Sequence, residues 1–224
     1  MFDFHRHLNK SPIIPNAFYC TSTVEEWNEN IPISLGLLFN EDKYTKTNLD
    51  ELLTLIERKL IGNNYYQIGE IGLDKRFGQI DLQSYFLEKC ISLSKKYNRI
   101  LTIHCVKEYK TLINLLEINK KKMGPITMVH GFTSSYEIAK QLRNYNVIIS
   151  LNSKFLKTKS FKSIKKFDNL GFLVESDWDL DNDENYQSNF DNFIMQLDQT
   201  GIKSYKEFNN EYRTIFKNIA TYRG

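Results

Sequence analysis

Short apolar runs alternate along this chain with longer stretches in which leucine and isoleucine recur every three or four residues. The short runs read as buried strands and the long stretches as amphipathic helices. Leu49, Leu52, Leu53, Ile56 and Leu60 fall at helical spacing over roughly 48–61. The same spacing predicts helices over roughly 81–97, 108–119, 186–199 and 205–222, and Ser134 or Ser135 caps another that runs to about Arg143. Strands are predicted at 2–7, 17–23, 33–39, 65–70, 100–104, 126–130, 147–151 and 172–175. Strands that are apolar throughout, interleaved with helices, indicate an α/β protein with a parallel sheet covered on both faces.

Composition narrows the class. A chain of 224 residues fits one domain of barrel size, with no linker or repeat dividing 1–224. A net charge of +3 does not by itself argue for nucleic acid. Cys20, Cys90 and Cys105 are odd in number and show no Cys-x-x-Cys, which fits a reducing compartment. No signal-peptide pattern stands at Met1–His5 and no apolar run is long enough for a bilayer, so a soluble, cytoplasmic protein is expected.

The polar residues at the strand ends carry the chemistry. Glu70 closes the apolar run 65–70, and a buried carboxylate needs a charge partner. All four histidines, His5, His7, His104 and His130, stand where other strands end, and Asp177 follows the last one. Alternation places Asp3, His5 and His7 on one face and Arg6 on the other. A lone strand-end histidine is more often a satisfied core residue. Here none is left over, and a metal centre accounts for all of them. Polar chemistry at strand C-termini is the rule for a TIM-type barrel.

The segments Asp3-Phe4-His5-Arg6-His7-Leu8, Gly69-Glu70-Ile71-Gly72-Leu73-Asp74, Ile103-His104, Val129-His130-Gly131-Phe132-Thr133 and Glu175-Ser176-Asp177, with Gln83 and Phe86, resemble the TatD-type metal-dependent nucleases of the amidohydrolase superfamily. The resemblance runs from residue 2 to about 180. It implies a (β/α)8 TIM-type barrel and phosphodiester hydrolysis, commonly as a 3′→5′ exodeoxyribonuclease. By position, His5, His7 and Asp177 would hold one divalent ion, His104 and His130 a second, and Glu70 would bridge them. Asp177 would also take a proton from the attacking water. Two ions of Mg²⁺, Mn²⁺ or Zn²⁺ are thus implied, with single-stranded DNA as the expected partner. The resemblance extends to short TatD-like components of anti-phage (Qat-type) systems, so a nuclease subunit of a defence complex is a further reading. So are an ester or amide hydrolase, for example of aminoacyl-RNA, and a complex subunit whose metal site has become mainly structural.

Departures from the family pattern touch the substrate side. Val106 and Lys107 stand where an arginine is usual, Gly131 where a cysteine is, and Trp178-Asp179 where a small residue and proline are. Candidate substrate contacts are Lys75, Arg76, Lys107, Lys157, Lys159 and Trp178. Lysines 154, 157, 159, 162, 165 and 166, interleaved with Phe155 and Phe161, suit a single strand or equally a solvated helix face. Asp179, Asp181, Asp183 and Glu184 read as a solvated loop, Glu175 as an outer partner of the metal ligands, and Cys105 as core.

The connections at the start are short. Only Leu8 to Asn16, with prolines at 12 and 15, separate the first two strands, and Val24 to Asn30 the next two. A parallel crossover usually needs about a dozen residues or more. The barrel is therefore expected to be trimmed in its first one or two outer helices, with poorly covered strands near residues 8–30 that favour a protein partner, self-association or shelter by the chain's own C-terminal helices. Ile13, Ile14 and Trp27 are the alternative cover.

Overall fold

Eight strands lie side by side in chain order, each parallel to the next, in a computed structural model that describes residues 1–8, 13–14, 16–28, 31–39, 43–178 and 186–220. They are β1 (Asp3–His7), β2 (Ala17–Cys20), β3 (Ser34–Leu37), β4 (Gln67–Asp74), β5 (Leu101–Val106), β6 (Thr127–Val129), β7 (Val147–Leu151) and β8 (Leu173–Val174). The segment after β8 returns to β1. Asp177 N donates to His5 O at 3.1 Å, His7 N donates to Trp178 O at 3.1 Å, and Arg6 bridges Trp178 in parallel. The sheet is thus a nearly closed (β/α)8 TIM-type barrel.

The helices follow the predicted periods. They are α1 (Lys46–Gly62), α2 (Ile80–Tyr97), α3 (Tyr109–Ile118), α4 (Tyr136–Arg143), α5 (Ile164–Asp168), α6 (Tyr186–Gln199) and α7 (Ser204–Ala220). Thr45 and Asn48 cap α1 reciprocally, so two backbone donors that the helix leaves unpaired find acceptors. Leu49, Ile56 and Leu60 are its buried stripe. Ser135, not Ser134, caps α4, its hydroxyl accepting from Ile138 N. The expected end of the last helix, 221–222, and the acidic run 179–184 lie outside the described residues.

β4 runs four residues beyond its expected end at 70, and all eight of its residues are buried. The carboxylate breaks the apolar run in sequence without ending the strand. Gly72, Leu73 and Asp74 pair in register with His104, Cys105 and Val106 of β5. Glu70 therefore sits in mid-strand.

The trimming of the first flank is real. Leu8, Ile13, Ile14 and Asn16 carry no helix, and residues 9–12 and 15 lie outside the described part. Among the described residues between β2 and β3 there is one 3-10 turn, Glu25–Asn28. The poor cover expected there is not found among the described residues, since β1, β2 and β3 are buried except for half-buried His7. Trp27 is wholly buried and its indole donates to Gly36 O at 2.8 Å. Ile14 N donates to the Tyr19 hydroxyl at 2.7 Å, whereas Ile13 is exposed. At the N-terminal ends of the strands, Phe216 of α7 packs edge-on against Phe4 and Phe18, with centroids 5.0 and 4.9 Å away, beside Phe2. Burying each such ring contributes about 1.5–3 kcal/mol, so the C-terminal helix is part of the core.

Candidate metal centre

The four histidines and Glu70 meet at the C-terminal mouth of the barrel, brought there by β1, β4, β5 and the residue after β6. Glu70 divides its oxygens. Oε1 lies 2.7 Å from His104 Nδ1 and 2.7 Å from His130 Nε2. Oε2 lies 3.3 Å from His5 Nε2 and 3.5 Å from His7 Nε2. Asp177 joins the second group, its Oδ1 at 3.4 Å from His7 Nε2 and 3.8 Å from His5 Nε2. Asp177 has a φ of 52°, a left-handed conformation that aspartate tolerates better than most residues.

The Nε2 atoms of His5 and His7 each lie 3.3–3.8 Å from Glu70 Oε2 and from Asp177 Oδ1, and His5, His7 and Asp177 bring ligand atoms within 4.8 Å of one another, as do His5, Glu70 and His130. Tetrahedral ligands about 2.1 Å from an ion stand about 3.4 Å apart. His5 Nε2 and Glu70 Oε2 are also buried with no hydrogen-bond partner. Buried polar atoms are nearly always paired, and a cation would satisfy both. The residues therefore fit a divalent ion here. His104 Nδ1, His130 Nε2 and Glu70 Oε1 are closer, at 2.7–3.0 Å, which is hydrogen-bond spacing.

Outer partners orient these groups. His104 Nε2 lies 3.1 Å from Asp74 Oδ2, which leaves Nδ1 turned to Glu70. Arg76 in turn grips Asp74 through Nε, 2.9 Å from Oδ1. His130 Nδ1 lies 3.6 Å from Glu175 Oε1. Glu175 is wholly buried, accepts from Gly131 N at 2.6 Å and Asn152 Nδ2 at 3.2 Å, and is bonded by the Ser150 hydroxyl. Its outer-partner role was legible; those of Asp74, Ser150 and Asn152 were not. Asp3 leaves the histidine set. Its carboxylate accepts from Ser176 N at 2.8 Å and Ser176 Oγ at 2.6 Å, and β1 shifts register between Asp3 and Arg6, which breaks the simple alternation.

Charge is strongly coupled. Burial would raise the pKa of Glu70, but the positive His130 and the close imidazoles of His104, His130 and His5 hold it well below the usual range. Burial opposes protonation of His7, yet the Asp177 hydrogen bond and the charges of Glu70 and Asp177 raise its pKa to about 9. Burial would also lower that of His130, but Glu70 and Glu175 push it well up. In His5 burial wins, helped by His130, and the pKa falls. Asp177 is held low against burial by His7, His130 and Lys154.

The expected substrate contacts are spread out. Lys75 Nζ lies 3.5 Å from Glu108, Arg76 is taken up by Asp74, and Lys107 is exposed with a φ of 60°. Trp178 is 9% exposed, and the Arg6 guanidinium lies over its ring at 4.3 Å. The lysine segment folds as two 3-10 turns, Ser153–Lys157 and Lys159–Ser163, followed by α5. Lys157 and Lys159 are exposed, and of these Lys157 lines a cleft beside Asp177. A cation that does reach the centre is Lys154, whose Nζ donates to Asp177 Oδ2 at 2.6 Å. Nothing in its spacing set it apart from the other lysines. Cys105 is buried and unbridged, as core.

The TatD related DNase family model matches residues 19–220. No curated protein matches the chain. Among solved structures, the chain is similar to the TatD homolog YJJV of Escherichia coli K12, at 19% identity and a TM-score of 0.67, over 98% of this chain and 94% of that one. It is also similar to a TatD family hydrolase from Entamoeba histolytica, at 19% identity and a TM-score of 0.63, over 92% and 84%. An uncharacterized amidohydrolase from Saccharomyces cerevisiae matches at 18% identity and a TM-score of 0.55, over 72% and 63%. At these identities the likeness concerns the fold. No helix among the described residues is long and apolar enough to cross a membrane.

Proposed function

This chain belongs to the TatD-related DNases, a family of metal-dependent hydrolases acting on nucleic acid, and on that premise we propose that it cleaves phosphodiester bonds of single-stranded DNA, from the 3′ end, at a two-ion centre built on Glu70. The observation that carries the two-ion reading is the division of Glu70, with one oxygen toward His104 and His130 and the other toward His5, His7 and Asp177. His5, His7 and Asp177 would hold one ion, His104 and His130 the other, within a single domain spanning 1–224. Divalent ions at such a centre supply an activated water and neutralise charge on the phosphate.

The chain's own residues do the rest. Asp74 and Glu175 fix the orientation of His104 and His130 from outside. Asp177 is the proton acceptor. His7 and His130, and after them Lys154, hold the carboxylate a weak base. A phosphate that draws Lys154 from Oδ2 removes one of these influences and brings the lysine to the phosphate. The experiment is incubation of end-labelled single-stranded DNA and RNA with Mg²⁺, Mn²⁺ or Zn²⁺, with Glu70→Ala as control. Stepwise shortening from the 3′ end, absent in the variant, is expected. Intact DNA with every metal, or equal cleavage by the variant, refutes the reading.

A further inference from the structure

A cleft of about 790 Å³ opens beside the metal centre. Glu175, Ser176 and Asp177 join it to the centre. Lys154 and Lys157 line it from the turn after β7, and Asn189, Asn192 and Gln196 line it from α6. The three amides stand at i, i+3 and i+7, so one helix face presents them together. Phe190 and Phe193, both buried, form the floor of the cleft on the same helix, with Leu156 and Trp178 also lining it. α6 contains no lysine or arginine. The cleft is therefore graded, with ammonium groups near Asp177, neutral amides on the helix rim, and an apolar floor of Phe190 and Phe193 suited to the face of a base.

That gradient selects a class of ligand. The volume is that of a small-ligand site, about 300–1,000 Å³, which admits a nucleotide residue and not a length of duplex. The ammonium of Lys154 is within reach of any phosphate that approaches Asp177. A side-chain amide carries a donor and an acceptor side by side, which matches the edge of a base and is worth about 1–3 kcal/mol when both bonds form. Asn192 and Gln196 are both exposed toward this space. We propose that the cleft is the subsite for the terminal nucleotide of a single strand, with phosphate on Lys154 and Lys157 and the base edge on Asn192 and Gln196. The proposal rests on the nuclease reading above and adds to it a group that reads the end of the strand.

The test uses fluorescence anisotropy of labelled six-nucleotide single strands with the full chain in EDTA, so that binding is read without cleavage. The variant Asn192→Ala/Gln196→Ala changes only exposed side chains, and its far-ultraviolet circular dichroism checks the fold. It is expected to bind about tenfold more weakly, the loss of one bidentate pair. A strand that is abasic at the bound end is expected to bind the native chain about tenfold more weakly too, with no further loss in the variant. Equal affinity of variant and native chain for the normal strand overturns the proposal. So does an equal loss on normal strands and on strands abasic at either end. Turnover of bis(p-nitrophenyl) phosphate by the metal-loaded native chain is measured in parallel. Turnover with amide-independent binding overturns the subsite and leaves the nuclease reading standing. Amide-dependent binding without turnover overturns the nuclease reading and leaves a nucleotide-binding cleft.

Discussion

Replacing Glu70 by glutamine keeps the volume of the side chain and removes its charge. In the native centre both oxygens are in use, Oε1 at 2.7 Å from His104 and His130 and Oε2 at 3.3 and 3.5 Å from His5 and His7. An amide has one acceptor oxygen, so it can serve one imidazole pair and must turn N–H groups toward the other. On the two-ion reading, the variant should hold one ion per chain and the native protein two. Losing about 4 kcal/mol of charge stabilisation in the transition state lowers turnover roughly a thousandfold. Stability in EDTA changes as well. Removing one partner of a buried ionic group costs about 3–5 kcal/mol. At about 2–4 °C per kcal/mol in a chain of this size, Tm should fall by about 6–20 °C near neutral pH. The native carboxylate has a depressed pKa, so its contribution is present above its ordinary value of 4.5 and is lost as the pH falls further. The gap between native chain and variant should narrow in acid. Metal per chain by mass spectrometry, turnover on a single strand, and thermal melts at two pH values are the assays. A variant with two bound ions and near-native turnover refutes the shared-ligand reasoning.

Asp74→Ala removes the carboxylate 3.1 Å from His104 Nε2 and should weaken metal binding by about 10–100-fold while Arg76→Ala does less; equal metal titrations for all three proteins contradict this. Lys157 lines the cleft and Lys159 does not. Lys157→Met should therefore flatten the log–log salt dependence of single-strand binding by about 0.7, and Lys159→Met should leave it unchanged. The pKa of His7 is raised to about 9, so in the metal-free chain it is protonated at pH 7.5 and must lose that proton to bind an ion. Loading should release protons, more of them below pH 9 than above it, and a calorimetric heat that does not vary with the buffer's ionisation enthalpy refutes this.

The helices were legible because the buried stripe of α1 or α2 repeats at a fixed period, whatever it packs on. Strand ends were not. Glu70 interrupts an apolar run, and only the pairing of β4 with β5 shows that the strand continues through Asp74. The candidate ligands were legible because histidine is scarce here and all four stand in or directly after short apolar runs, although His5 and His104 prove to lie within β1 and β5 rather than at their ends. Their outer partners were hidden for the opposite reason. Asp74 is thirty residues from His104 and Lys154 is twenty-three from Asp177. In each case the contact is made by neighbouring strand ends around the barrel, and no local spacing encodes it. Lys154 differs from Lys157 and Lys159 by where a 3-10 turn aims it, which depends on Asn152 capping that turn.

The trimmed flank and the metal centre are one construction. Outer helices of a barrel contribute cover and no ligand, so losing the first of them costs the centre nothing provided the strands keep their register. The replacement cover is tied to that register. Trp27 donates to the carbonyl of Gly36, in the strand next to β4. Gly36 is also a point of close approach in the sheet, since a Cβ there would overlap Thr21 O and Glu70 N. That bareness lets Glu70 N reach across to Thr21 O at 3.1 Å. The backbone of the residue shared by both halves of the centre is thus anchored through β3 to β2, the strands that lack full helices. A short turn with one tryptophan can stand in for a helix here because it holds a single glycine carbonyl, and that glycine sets how closely β4 and its carboxylate approach the mouth of the barrel.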